Sequence, residues 1–489
     1  MLNSSGAVKL VKEQLFPSWE NERTKLDRID CWYRWHHEDI RLPRSATPEL
    51  RDLSTLSKVP WLSLVVTAAV QAMYVDGYRS RLDGDRAAEQ DDPDAPTGEV
   101  TDSPPWRAWM ANQMDRRQVA LHRAMLAYGY SFTTVLPGRD PMTGADQAVI
   151  RGVSPRKMMA FYEDPAEDDW PEYALRIVER KGDAYKVRLY DEEAVYELQL
   201  SGTGTSSEVS LLEEPAAHGA GVCPVIRYAN MLDLDGRTPG EVEPYIGIAG
   251  RINKTSYDRM LVQHFNSWKI RYVTGMSEPD SEEAANRTKL RLRQDDLLIA
   301  EDPDTKFGQL DETALGGFID AHTADIETLA AASQTPTYEL TGKLVNLSAE
   351  ALAASRSALT QKITERQKSA GAAHAQTLKL AAALDGYQDY ATDITGRVTW
   401  QDMEIRSMSQ SADALVKLAG LGIPFKALWG KIPGIEKSDV DEWAAMAAEG
   451  DPIRKMQLEL ERQYSNSPDV TTDGPDTAGP ADVNPVASL

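Results

Sequence analysis

Apolar residues recur at helical spacing over several long stretches of this chain, and a block between them alternates at period two instead. Residues 1–80 read as helices, with Leu26, Ile29, Trp32 and Tyr33 on one stripe that Pro43 breaks. Residues 61–75 form a second, mostly apolar element. It contains Thr67 and Gln71 and is short for a bilayer span, so a buried core helix is the better reading. Pro104 and Pro105 open another helix, in which Trp109, Met110, Gln113, Met114, Ala120, Ala124 and Tyr128 lie near helical spacing. From Gly129 the period shifts. Residues 131–136, 148–153 and 158–162 read as short strands, and 173–181, 184–190 and 194–200 as a meander turning at Gly182–Asp183 and Asp191–Glu192. Residues 103–240 therefore look α+β with an antiparallel sheet.

A long helix is expected over 241–268, with Ile246, Ala249, Tyr257, Leu261, Phe265 and Trp268 on one face. A small insertion follows: strands at 270–274, 297–300 and 305–309, and an acidic helix near 280–288. The chain returns by a helix carrying Leu315, Ile319, His322, Ile326 and Leu329 on one stripe. Two long helices thus flank a small domain as a stalk carries a tip. Thr335–Pro336 stops the returning helix, because the residue before proline is pushed out of the α region. A loop follows, and Ser348 caps a new helix, with Glu350 in its first turn, running to about Leu384, roughly 54 Å. Its apolar positions Leu352, Leu359, Ile363, Ala370 and Leu378 read as a stripe separate from Arg356, Lys362, Arg366, Lys368 and Lys379. That basic side is open to a negatively charged neighbour or to DNA. Short helices at 407–419, 424–429 and 438–448 follow, and from residue 466 the chain is Pro, Gly and Asp-rich and reads as disordered.

Composition narrows the class. With 489 residues, two to four domains are expected, and 42% apolar with 26% charged residues indicates a soluble globular chain. The net charge is −23, and residues 83–102 and 456–489 carry much of it. An acidic chain is a poor general nucleic-acid binder, since affinity for phosphate comes from Lys and Arg releasing counterions. Cys31 and Cys223 read as free thiols, and no secretory apolar region or membrane span is recognised at the N-terminus.

Catalytic signatures are missing. The sequence holds no GxxxxGK[ST], HExxH, CxxC or GxSxG pattern. The cluster His36–His37–Glu38–Asp39 reads as a solvated helix end rather than a metal site, because adjacent histidines leave a helix on different sides. Glu163, Asp164, Glu167, Asp168 and Asp169 read as a surface loop with no basic partner nearby in sequence. Arg287, Lys289, Arg291 and Arg293 alternate, so a strand would place all four on one face, for a partner or for solvent. No catalytic residue, metal or cofactor is assigned, and a structural or assembly protein is favoured over an enzyme.

Several short motifs then occur in a telling order. They are Lys58–Val59–Pro60–Trp61, Asp76–Gly77–Tyr78–Arg79, His122–Arg123–Ala124, Tyr128–Gly129–Tyr130–Ser131 and Ser154–Pro155. Next come Thr335–Pro336, Leu340–Thr341–Gly342, Asn346–Leu347–Ser348–Ala349–Glu350, Val398–Thr399–Trp400 and Gly422–Ile423–Pro424. In this order, over about residues 20–450, the chain resembles the portal proteins of tailed, long-tailed double-stranded DNA bacteriophages of actinobacterial hosts.

The resemblance implies an α+β, mainly helical portal fold with wing, stem, clip and crown. Residues 1–240 would be the wing, 241–268 a stem helix, 269–312 the clip and 313–333 the returning stem helix. Residues 334–347 would be the tunnel loop, 348–384 the long helix behind it, 385–455 the helical wing and crown, and 456–489 an acidic tail. It further implies a ring of twelve copies at one capsid vertex of the virion, assembled in the host cytoplasm, through which double-stranded DNA is packaged and ejected. Partners would be the terminase large subunit, the head–tail connector or adaptor, and the major capsid and scaffolding proteins, with no membrane. Thr341, Lys343 and Asn346 would face DNA, and Arg287, Lys289, Arg291 and Arg293 would meet a clip partner; ordinary loop solubility stays open for the first three. Another capsid-assembly or head–tail adaptor protein without a channel is the alternative.

Overall fold

A computed structural model describes residues 2–83 (apart from 39, 41 and 43), 103–267 (apart from 141 and 203–207), 271–274, 306–309, 313–343, 349–401 and 408–423, with scattered residues between 428 and 447. Mixed α+β architecture follows from the two periods. The N-terminal helices α1 (Ser4–Leu10) and α2 (Phe16–Tyr33) join through a π-helical turn, Val11–Leu15. Ala7, Val11, Leu15, Phe16 and Trp19 lie on one side of this rod and pack on a sheet contributed from far along the chain. That sheet runs in the order β4 (Met158–Phe161), β5 (Tyr173–Lys181), β6 (Ala184–Tyr190), β7 (Ala194–Ser201), β8 (Glu208–Leu211), with β9 (Ala216–Ala217) also on β7. Its strands alternate as period two demands: Tyr196, Leu198 and Leu200 are buried, while Glu197 faces out and binds Lys186 (2.6 Å) and Arg188 across the ladder.

A second antiparallel sheet, β10 (Val225–Ala229), β2 (Tyr130–Arg139) and β3 (Asp146–Val153), sits between two cores. Phe132, Val153 and Val225 meet Met158, Ala174 and Tyr190 of the first sheet. Val135, Ile150, Ile226 and Tyr228 instead enter the main core, with helices α3 (Pro48–Leu56), α4 (Trp61–Val70), α5 (Pro104–Ala111) and α6 (Met114–Tyr128) around or beside it.

The stalk is present as two antiparallel helices, α7 (Ile246–Ser267) and α8 (Gly316–Ala332). Arg251 Nε lies 2.7 Å from Asp325, and Asn266 Nδ2 donates to Thr313 O at 2.9 Å. The pair leads into an antiparallel ribbon of β11 (Arg271–Thr274) and β12 (Lys306–Gln309). A short helix α9 (Thr337–Thr341) follows, then α10 (Ala349–Leu384), a rod of ~54 Å that packs on β2, β3 and β10. After α11 (Gln388–Thr392), strand β13 (Arg397–Trp400) returns to pair with β1 (Val75–Arg79). The described residues from 408 onward belong to a separate unit, which contains α12 (Met408–Gly420).

Several boundaries differ from expectation. The apolar element over 61–75 is a helix only to Val70, and Val75 starts the strand that meets β13. The helix opened by Pro104 breaks at Asn112–Gln113, where Gln113 turns left-handed (φ 52°), so the spacing to Tyr128 spans two helices. The single expected sheet is two. Glu241 precedes the stalk helix, which begins at Ile246 after a 3-10 turn, Glu243–Tyr245. His37 is not solvated: its ring stacks on Trp32 at 3.9 Å and is buried, while His36 and Glu38 are exposed. The returning stripe is buried at Ile326 and Leu329 but exposed at Ile319. The expected elements at 280–288 and 297–300, the acidic 84–102 stretch and the 456–489 tail lie outside the described residues.

Candidate functional site

The segment between α8 and α10 is built outward from its root. Ser333 N donates to Leu329 O at 2.9 Å, Gln334 turns left-handed (φ 53°), and Thr335 N folds back on Ala330 O at 3.0 Å. Ser333 Oγ donates to Thr335 Oγ1 at 3.0 Å, so the turn satisfies its own buried polar groups.

This root is held from outside by α10. Lys362 Nζ donates to Ser333 O at 2.8 Å and to Glu241 Oε2 at 2.8 Å. Arg366 Nη2 and Nε reach Glu241 Oε1 at 3.3 and 3.4 Å, and Asn230 Nδ2 donates to the same oxygen at 3.3 Å. The Lys362, Glu241 and Arg366 side chains are 4, 4 and 8% exposed. Arg366 Nη1 also meets the exposed Glu365 at 2.9 Å, so two cations are answered by two carboxylates. Charges this deep persist only when paired and hydrogen-bonded. Glu241 is aimed by its backbone, whose N–H donates to Leu126 O at 2.7 Å. Tyr245 Oη donates to Ala332 O at 3.1 Å, tying the start of the outgoing helix to the end of the returning one. Burial pushes that phenol up to about 12.

Beyond the root, the expected open loop contains α9. Leu340 is buried in the main core and Glu339 pairs with Arg356 of α10 at 3.6 Å. Gly342 (φ 67°) ends α9, its N–H on Tyr338 O at 2.8 Å. Thr341 Oγ1 donates to Thr337 O at 2.9 Å and accepts Lys343 N–H at 3.3 Å. Lys343 is exposed at the mouth of this turn. Thr341 and Lys343 are thus brought together, while Asn346 lies outside the described residues, as do Arg287, Lys289, Arg291 and Arg293.

Two residues of the basic side of α10 find a negatively charged neighbour within the chain, and the apolar stripe is not separate from that side. Lys362 and Arg366 point into the protein at Glu241. Sequence reasoning missed Glu241 as their partner, although a signal existed. Stepping from Leu359 by three, four, three and four gives Lys362, Arg366, Ser369 and Ala373, so two cations lie on a flank of the buried stripe. A cation there implies a buried anion. Among the described residues, no three His, Cys, Asp or Glu side chains gather as a metal site.

Comparison of the sequence with known proteins agrees with the motif order. Residues 13–452 match the family described as phage portal protein, SPP1 Gp6-like. The chain is similar to the portal protein of Mycobacterium phage L5, 25% identical over 441 residues that cover 84% of this chain and 82% of the relative. It is likewise similar to the portal protein of Mycobacterium phage D29, 25% identical over 442 residues with the same coverage. These matches set aside the reading as an adaptor without a channel.

Proposed function

The chain belongs to the SPP1 Gp6-like family of phage portal proteins, and from that premise we propose how its segments divide the work. Portal proteins are structural components of the virion, not enzymes, and as an oligomeric ring they form the DNA-packaging channel at the capsid vertex. In our reading the ring has twelve copies. Residues 1–240 form the wing, the α7 and α8 pair the stem, 269–312 the clip that meets the head–tail connector, and 385–455 the helical wing and crown. Terminase large subunit docks on the ring during packaging, and the capsid and scaffolding proteins surround it in the host cytoplasm. Arg287, Lys289, Arg291 and Arg293 contact the clip partner.

Residues 334–347 are the tunnel loop, with Thr341, Lys343 and Asn346 towards DNA. The observation that carries this assignment is Lys362: one ammonium holds the loop root at Ser333 O and the stalk entry at Glu241, each at 2.8 Å. Motion of either rod is thereby passed to the loop. Thr341 commits its hydroxyl to the turn, so of the two described residues Lys343 is the better placed to touch phosphate. Sparse contact suits a conduit. Duplex DNA carries a charge every ~1.7 Å, and a densely basic wall would hold it in place.

Lys343→Glu tests the assignment, with DNA retained per particle and ring assembly measured together. Retention should fall severalfold with rings unchanged. Normal retention, or lost rings, would remove Lys343 from the channel.

A further inference from the structure

Beneath the loop at residues 163–169 lies a groove of about 700 Å³ whose walls come from that loop, from residues 220–232 and from α10. Trp170, Val222, Leu232 and Ala372 give it an apolar floor. The neighbouring Met231, Leu232 and Leu234 are 39, 41 and 96% exposed, which extends the floor into an open apolar strip. Glu167, Asp168 and Asp169 line one rim, and Glu163 and Asp164 stand in the same loop. Among the described residues none of these five carboxylates makes an ion pair. Of the two cations lining the groove, Arg227 is already engaged, with Nη2 on Pro165 O at 2.6 Å and its guanidinium 4.3 Å from the Tyr162 ring centroid. Lys379 adds, behind the hydrogen bonds from Ser80 and Thr395, to holding the Asp393 carboxyl below its ordinary range.

Such a site suits an arginine-bearing surface. The methylenes of arginine lie along an apolar wall while the guanidinium meets carboxylates or an indole face. This chain displays such a surface. On α6, Arg116, Arg117 and Arg123 are exposed, with Ala120 between them and no acid on that face. Arg116 reaches only Gln113, and none of the three makes an ion pair among the described residues. In a chain of net charge −23, three unpaired arginines on one helix face call for a partner.

We propose that the groove under residues 163–169 receives the arginine face of α6 from the next copy in the ring. Groove and arginine face are different patches of one chain, so the contact is heterologous, the kind that propagates head to tail and closes into a ring. The inference rests on the portal reading, which supplies the ring.

The full-length chain tests it by light scattering and particle imaging. One variant carries Glu167→Lys, Asp168→Lys and Asp169→Lys; the other carries Arg116→Glu, Arg117→Glu and Arg123→Glu. Each alone should lose at least tenfold in ring fraction at a concentration where the parent assembles, with circular dichroism unchanged. An equimolar mixture should recover rings, because each variant's groove then faces a helix of opposite charge, and so should one chain carrying all six changes. Rings from either single variant, or no recovery in mixture and six-fold variant, overturn the proposal. Arginine variants that form rings but lose DNA would place that face towards DNA instead, against the proposal. A parent chain that stays monomeric removes the ring itself, a failure distinct from that of the groove.

Discussion

His122 and His374 meet Nε2 to Nε2 at 2.7 Å, both fully buried, and their partners decide where each proton sits. His122 Nδ1 lies 3.1 Å from Met73 O. A carbonyl only accepts, so Nδ1 carries the proton and the bare Nε2 accepts from His374. His374 Nδ1 then accepts from Tyr228 Oη at 3.0 Å, which itself lies 2.8 Å from Thr377 Oγ1. Trp109 and Trp400 flank the pair. One chain of neutral hydrogen bonds joins α6, α10 and β10.

Acid should therefore weaken the fold early. Burial pushes His122 down to about 4 and His374 well below its ordinary value. Between those values and ~6.5 the unfolded chain binds protons that the folded chain refuses, so stability is intact above ~6.5 and falls as pH drops. The expected slope is about 1.4 kcal/mol per pH unit for each imidazole. Carboxylates such as Glu197, held down by Lys186, lose their contribution only below ~4.5. Urea unfolding at pH 7.5, 6, 5 and 4 reads the slope, and His122→Asn with His374→Gln should flatten it.

Lys362→Met should cost about 3–5 kcal/mol, since it leaves Glu241 short of a partner and Ser333 O with only the long 3.4 Å bond from Thr335 Oγ1 in a buried site. Adding Glu241→Gln should recover part of that loss. Equilibrium unfolding of the two single variants and the double closes the cycle, and strict additivity would mean that the pair does not interact.

Gly129→Ala should cost at least ~3 kcal/mol or abolish soluble expression. Gly129 has φ 98°, and a Cβ there would stand 1.9 Å from Thr238 O. The same crossing aims Glu241, whose N–H binds Leu126 O, so a soluble variant should also lose protection at the 241 amide in hydrogen exchange.

Asn112 stands in for a neighbour strand at the outer edge of β3 among the described residues. Its Nδ2 donates to Ala108 O and Ala148 O at 2.9 Å each, and its Oδ1 accepts Ile150 N–H at 2.9 Å. Asn112→Ala should cost about 2–3 kcal/mol by leaving buried backbone groups bare. Faster exchange at the Ile150 amide, with distant strands unaffected, is the accompanying signature.

Local pattern alone determined much of this protein. The bounds of β5 and β6, the stalk helices and the rod ending at Leu384 follow from period, proline and turn chemistry, which act over a few residues. The order of short motifs carried the family. What tertiary structure decided is who meets whom: β1 with β13, His122 with His374, and Glu241 with Lys362 and Arg366. Periodicity reports which face of an element is buried, but a buried polar side chain is stable only beside its partner, and these partners lie more than a hundred residues away. Pattern left Lys362 open to an anionic neighbour or to DNA, and the anion is this chain's own Glu241. The crossing at Gly129, which delivers Glu241 to Lys362, made that lysine the anchor of the loop.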